Sequence, residues 1–296
     1  MITAFQAGAA THTGLLRSCN EDRYWMDAER GVFLVVDGMG GQAAGELAAE
    51  TAVDAVRESM AGATPASAEA RVRKAIASAN NRICGLGEEH LELRGMACVL
   101  TLALLEEERI TIGHVGDSRL YLVWKGNIRK LTSDHSPVGE SEDAGELSEE
   151  EAMQHPRRNE VFRDVGSRRR SPGEEGFIEI RTCRFHPDAA ILLCSDGLTD
   201  LLTASEVRAI VGRYAGDAAR VAGELVEAAN LAGGSDNITA LFVAGPQFRG
   251  GAGATRPRTS TTRVRRRSRL FTGRMAFLVY GLLLAMAVWA FRKGGW

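Results

Sequence analysis

The chain has little cysteine, and none of it is placed for structural chemistry. Cys19, Cys84, Cys98, Cys183 and Cys194 are odd in number and include no C-x-x-C pair. This argues against a disulfide framework and against a structural zinc site, and it suits reduced thiols in a cytosolic protein. None has an arginine six positions later, so the C-x5-R nucleophile of tyrosine phosphatases is excluded. Met1–Ala10 has neither a basic start nor a long apolar run, so no signal peptide is expected. Acidic residues are missing from Gln247 onward, where the chain carries eleven Arg or Lys. Ahead of that point 25 basic residues face 38 acidic ones, so a net charge of −2 hides a front part of about −13 and a tail of +11. An acidic domain with clustered carboxylates suits divalent cations, and a basic, acid-free tail suits an anionic surface.

What is present is ample for one large domain. The chain has 296 residues and is 45% hydrophobic, with some length left over. Residues 1–245 alternate strand-like and helix-like patterns. Residues 246–274 are rich in Gly, Thr, Ser and Arg without apolar periodicity, and read as a flexible basic linker. Residues 275–291 are apolar and uncharged, and 292–296 form a short tail. Seventeen residues make about 26 Å of helix at ~1.5 Å per residue. A bilayer core needs roughly 17–25 residues, so a single C-terminal transmembrane helix is expected. A buried soluble helix would show a polar face, and this run has none. The basic cluster Arg263–Arg269 just before it puts that side in the cytoplasm by the positive-inside rule. The expected location is therefore a membrane, single-pass, with the domain facing the cytoplasm. The cluster lacks interleaved aromatics and abuts the apolar run, so lipid rather than nucleic acid is the expected partner.

The spacing predicts buried strands at Val32–Asp37 and Ala190–Ser195 and a last strand at Ile238–Val243. It predicts hairpins from Met96–Leu105 with Arg109–Val115, and from Leu120–Trp124 with Ile128–Leu131 around Gly126-Asn127. Helices are predicted at Gln42–Met60, Pro65–Leu86, Ser205–Tyr214 and Ala218–Leu231. Strands in hairpin order with helices in pairs point to an α+β fold with antiparallel sheets. Residues 139–176 read as a charged, irregular surface flap.

Four segments share one pattern: apolar β-formers end in Asp, and a small residue follows. They are VVDGMGG at 35–41, GHVGDSR at 113–119, LLCSDGLTD at 192–200 and GGSDNIT at 233–239. Strand ends hold carboxylates rigidly, and small neighbours leave room for a ligand. One such Asp is commonly only a turn former. Four together, without His or Cys, make an oxygen-only donor set that favours Mg²⁺ or Mn²⁺. Two such ions can activate a water and clamp a phosphoryl oxygen, and spacing alone leaves any two-metal hydrolase open.

These motifs resemble the protein phosphatase 2C (PPM) family, especially its bacterial members, over about residues 3–244. RSCNEDR at 17–23, DGMGG at 37–41, GDSR, LTSDHS at 131–136, HPRRNEVFRDVG at 155–166, SDGLTD and GGSDNIT follow in the family's order. The resemblance implies an α-β-β-α sandwich of two antiparallel sheets flanked by helix pairs, with a binuclear Mn²⁺ or Mg²⁺ centre between the sheets. It implies that Asp37 bridges the two metals and that Asp196 and Asp236 complete the first. The carbonyl of Gly38 and Glu21 serve the second, and Asp117 and Asp200 match the positions of a third metal in many members. Arg17 matches the phosphate-binding arginine, and Asp22 and Asn237 support the ligands from behind. The implied activity is hydrolysis of phosphoserine and phosphothreonine on proteins, opposing a serine/threonine kinase. A membrane-anchored pseudophosphatase that only binds phosphopeptides is the alternative. The chain departs from the family pattern at Met39, where animal-type members carry a histidine proposed as a general acid. It departs again at Ala97-Cys98-Val99, where G-T-T is usual. His135 is expected to serve structure rather than catalysis, and the charged flap, including Arg168–Arg170, is a candidate for substrate selection.

Overall fold

The computed structural model describes residues 5–40, 44–62 and 66–251. The expected transmembrane helix at 275–291 and most of the expected linker lie outside the described residues. Among the described residues, two five-stranded antiparallel sheets form the centre. One runs in the order β1 (Gln6–His12), β10 (Ile238–Ala244), β9 (Ala190–Cys194), β6 (Arg119–Trp124) and β7 (Asn127–Lys130). The other runs β2 (Asp22–Asp27), β3 (Val32–Met39), β4 (Ala97–Glu106), β5 (Arg109–Val115) and β8 (Glu179–Arg184).

Strand β3 shows why the layers form. Its residues are apolar on both faces, as a strand covered on both sides requires. Phe33 and Val35 face the other sheet, where they join Leu120, Leu122, Ile191, Leu193, Leu241 and Val243. Val32, Leu34 and Val36 point the other way, under helices α1 (Ala44–Met60) and α2 (Ala68–Glu89). On the opposite flank α6 (Ala204–Val211) and α7 (Ala218–Leu231) cover the first sheet through Val207, Val221, Leu225 and Phe242. Three apolar clusters between four layers make the expected α-β-β-α sandwich.

The helices begin where the sequence offers caps. Asp217 accepts the Arg220 amide at the start of α7, and Thr203 and Glu206 form a reciprocal capping box on α6. In α1, Ala48, Ala52, Ala55 and Val56 recur at helical spacing and are buried.

Several predicted boundaries move. The second hairpin turns on Lys125-Gly126, not Gly126-Asn127, because Trp124 pairs with Asn127 and both turn residues adopt positive φ. Strand β3 continues past Asp37 to Met39. Strands β1, β2 and β8 were not predicted. The flap is not wholly irregular, since it contains α3 (Pro137–Asp143) and α4 (Glu149–Met153). Residues 246–251, expected in the linker, pack on the domain: Phe248 is buried against Tyr214 and Phe242, and the Gly251 amide donates to the Gly212 carbonyl.

Candidate metal centre

The carboxylates predicted from four separate segments meet at one end of the two sheets. Asp37 lies on β3 directly opposite Asp22 on β2. Asp117 sits in the turn between β5 and β6. Asp196 opens the short helix α5 (Asp196–Thr199) that follows β9, and Asp200 caps its end. Asp236 lies just before β10. Burial pushes Asp37 well above the usual carboxylate range, and the charges of Asp22, Asp196, Asp117 and Asp236 push it further. Asp196 is raised well above that range by burial and then by Asp117, Asp200, Asp236 and Asp22. Burial is also the main cause for Asp22, raised to about 6, and for Asp117, raised to about 7 with help from Asp134 and Asp200. Five aspartates raised by burial and mutual repulsion, with the charge of Asp236 beside them, form a site whose field demands positive charge.

Glu21 joins from the side. Its carboxylate packs against Gly45 at the first turn of α1, where the helix N-terminus favours negative charge. Gly38 is a glycine because the same turn rests on it: a Cβ there would overlap the Gly45 carbonyl.

Hydrogen bonds fix the frame. Asn237 Oδ1 accepts the Glu21 amide at 2.7 Å, and its Nδ2 donates to the carbonyls of Thr13 and Cys19, each at 2.9 Å. One side chain thus holds the whole 13–21 loop. Ser195 Oγ donates to Asp22 Oδ2 at 2.7 Å and accepts the Thr239 amide at 2.9 Å. Asp22 Oδ1 is buried with no hydrogen-bond partner. Arg17 donates to Asp236 Oδ2 at 2.7 Å while staying about half exposed. A guanidinium there can reach a phosphate that approaches the cluster.

The residues fit a divalent-cation centre. The donor set is all oxygen, the carboxylates are desolvated and mutually repelling, and one buried acceptor is orphaned. Among the described residues, His114, His135 and Glu179 also bring ligand atoms within 4.8 Å of one another. Their nitrogens are already engaged. His114 Nε2 donates to the Ser133 carbonyl and its Nδ1 meets Thr101 Oγ1, while His135 Nδ1 accepts the Gly116 amide. Burial, His114 and Arg163 lower His135 to about 3, so it is a neutral hydrogen-bonding residue.

Sequence reasoning missed Ser195 and Thr239 behind Asp22, although Ser195 stands in the quoted SDGLTD motif. It missed Arg158, whose Nε donates to Asp200 at 2.8 Å from the flap. It named Arg168–Arg170 instead. Those arginines have other partners: Arg168 and Arg170 pair with Glu174, and Arg169 pairs with Glu88.

An α-β-β-α sandwich with an all-oxygen carboxylate cluster at its sheet ends defines a metal-dependent hydrolase. The family model described as protein phosphatase 2C matches residues 16–229. Serine/threonine phosphatase stp of Listeria monocytogenes is 37% identical over 242 residues, covering 79% of this chain and 93% of that protein. Protein phosphatase PhpP of Streptococcus pneumoniae is 34% identical over 240 residues, covering 79% and 94%. The crystal structure of the Mycobacterium tuberculosis serine/threonine phosphatase PstP superposes with a TM-score of 0.73 at 29% identity, covering 81% of this chain and 98% of that one. A structure of the PstP catalytic domain in complex with two manganese ions superposes with a TM-score of 0.71 at 28% identity, covering 81% and 98%. The chain belongs to the protein phosphatase 2C family, among the bacterial serine/threonine phosphatases.

Proposed function

We propose that this enzyme removes phosphate from phosphoserine and phosphothreonine of proteins at a binuclear Mn²⁺ or Mg²⁺ centre. We further propose that residues 275–291 tether it to the cytoplasmic membrane of a bacterium. The observation that carries the catalytic reading is the convergence of Asp37, Asp196, Asp236 and Glu21 beside Arg17. Asp37, Asp196 and Asp236 would hold one cation, and Asp37, Glu21 and the Gly38 carbonyl the other. Asp117 and Asp200 would serve a third. When bound, such cations acidify a water and offset phosphoryl charge.

The remaining steps belong to the protein. Arg17 turns its guanidinium from Asp236 to the phosphoryl oxygens and complements charge that grows in the transition state. Asn237 fixes the loop that carries Arg17 and Glu21. Ser195 orients Asp22 behind Asp37. Met39 offers no proton, and His135 is neutral and engaged, so the leaving alkoxide takes its proton from solvent. The phosphorylated Ser or Thr must be made by phosphoryl transfer to a hydroxyl, which places a protein kinase upstream as the opposing enzyme.

The test is phosphothreonine-peptide hydrolysis by wild type with Mn²⁺, by wild type with EDTA, and by Asp37→Asn with Mn²⁺. Turnover should require Mn²⁺ or Mg²⁺ and fall at least about 10²-fold in Asp37→Asn, the scale seen when a group acting on the transition state is lost. A folded wild type without turnover in either metal would reject catalysis and favour phosphopeptide binding.

A further inference from the structure

We propose that the groove between β1 and α7 is a specificity subsite, which receives an apolar side chain of the substrate polypeptide two residues from the phosphorylated one. The proposal rests on the reading of this site as one that acts on phosphorylated proteins.

The groove is lined by Ala10, Leu15, Gly223, Val226, Asn230 and Leu231. Two of these leucines are conspicuously exposed, Leu15 at 62% and Leu231 at 82%. Leu16 beside them is 75% exposed. Scattered apolar side chains on a surface need no explanation, but a cluster on the loop that leads into Arg17 does. Gly223 leaves the middle of the groove open, since a Cβ there would meet nothing within 4 Å.

One wall of the groove, Leu15, belongs to the loop that carries Arg17. The Leu15 amide donates to the Gly234 carbonyl at 2.7 Å, which seats the loop on the segment that carries Asp236. Two residues further on, Arg17 reaches Asp236. At ~3.3–3.6 Å per residue, the Cα atoms of Leu15 and Arg17 are at most about 7 Å apart. A peptide whose phosphoryl group lies on Arg17 can therefore bring a side chain two residues away onto Leu15, which lines the groove together with Leu231. The chemistry of the groove selects what lands there. Its lining is apolar apart from His12, Asn230 and Glu227, and the Glu227 carboxylate disfavours an acidic side chain. The phosphate is thus read by Arg17 and the carboxylate cluster, and the flanking residue by the leucines.

The experiment uses the full chain and phosphothreonine peptides that differ only two residues from the phosphothreonine, with Leu or Asp on one side or the other. p-Nitrophenyl phosphate is the substrate that cannot reach the groove. Wild type should favour Leu over Asp on one side by roughly tenfold in kcat/KM, carried by KM, as one apolar side chain in a hydrophobic pocket allows. Leu231→Glu should abolish most of that preference and leave p-nitrophenyl phosphate turnover unchanged. Leu15→Ser is a second variant, in which the peptide preference should also drop. Equal kcat/KM for all peptides in wild type, or a preference that survives both variants, would overturn the proposal. So would a preference that fades as the enzyme dimerises with concentration, because the groove would then belong to a second copy of this chain. Turnover of p-nitrophenyl phosphate with none of any peptide would remove the protein-substrate reading itself, and this proposal with it.

Discussion

Asp37 carries an electrostatic load from burial and neighbouring aspartates, and the load has a sign that can be measured. Its acidity is weakened by burial and by four other aspartates, and Asp22 and Asp117 are raised to about 6 and about 7. An unfolded aspartate titrates near 3.9. Between these values the folded, metal-free protein binds more protons than the unfolded chain, so the cluster makes stability fall as pH rises from about 4 to 7. His114 and His135 act oppositely, since both are lowered by burial and destabilise the fold as pH falls below about 6.5. Comparison with Asp37→Asn separates the two effects. In EDTA, the variant should melt above wild type at pH 8, and the difference should shrink toward pH 5. Mn²⁺ should reverse the order at pH 8. A difference in Tm that does not change with pH would remove the repulsion argument. Asp22 belongs to the same balance: its Oδ1 is buried without a hydrogen-bond partner while Ser195 holds its other oxygen.

At the scale of elements, close approach and polar clips decide the packing. Gly8 on β1 lies under α7, and a Cβ there would overlap the Ala219 backbone. Gly8→Ala should lower stability by about 1–3 kcal/mol in urea unfolding, because the helix must lift from the sheet. Gly223→Ala on the same helix should be neutral or stabilising by up to ~1 kcal/mol, because its Cβ meets open space. Equal effects would show that contact with the sheet does not set the cost. The flap is fastened in a similar way. Asn80, fully buried on α2, accepts the Gly166 amide at 2.9 Å and donates to the Arg168 carbonyl at 2.7 Å, and Asn81 engages both backbone groups of Arg170. Much of this architecture was legible in the sequence. The apolar runs of β3, β9 and β10 announce strands because both faces of each are covered. The missed strands β1, β2 and β8 are three of the four sheet edges. Their side chains are largely half-buried or exposed, so the apolar pattern that reveals a strand is weak in them. The site was legible because its aspartates lie at or close to strand ends beside small residues. Arg158 and Ser195 were not, because their roles arise from segments brought together only by folding. Asn80-Asn81 was the overlooked signal: two adjacent asparagines inside a helix are costly unless their side chains are used.

For the whole molecule the decisive feature is the separation of charge along the chain. The part before Gln247 has an excess of about thirteen acidic residues, while the tail has eleven basic residues and no acidic one. Anionic lipid attracts juxtamembrane arginine by about 1 kcal/mol each near the surface, and this attraction fades within a Debye length. The acidic domain is repelled by the same surface. The proposed arrangement is therefore an apolar run in the bilayer, an arginine-rich segment on the lipid headgroups, and a catalytic domain held off the membrane. Removing residues 275–296 should release the enzyme from the membrane fraction. What remains should bind vesicles of anionic lipid at about 0.05 M salt and leave them at about 0.5 M, where the Debye length shrinks to a few ångströms. Turnover of p-nitrophenyl phosphate should not change, because Arg17, Glu21 and every aspartate of the centre lie before residue 240. A truncated chain that stays in the membrane fraction at about 0.5 M salt would refute the tether, and vesicle binding that is indifferent to salt would refute the electrostatic part. If both parts hold, the arginines should also favour a cytoplasmic domain, since positive loops resist translocation.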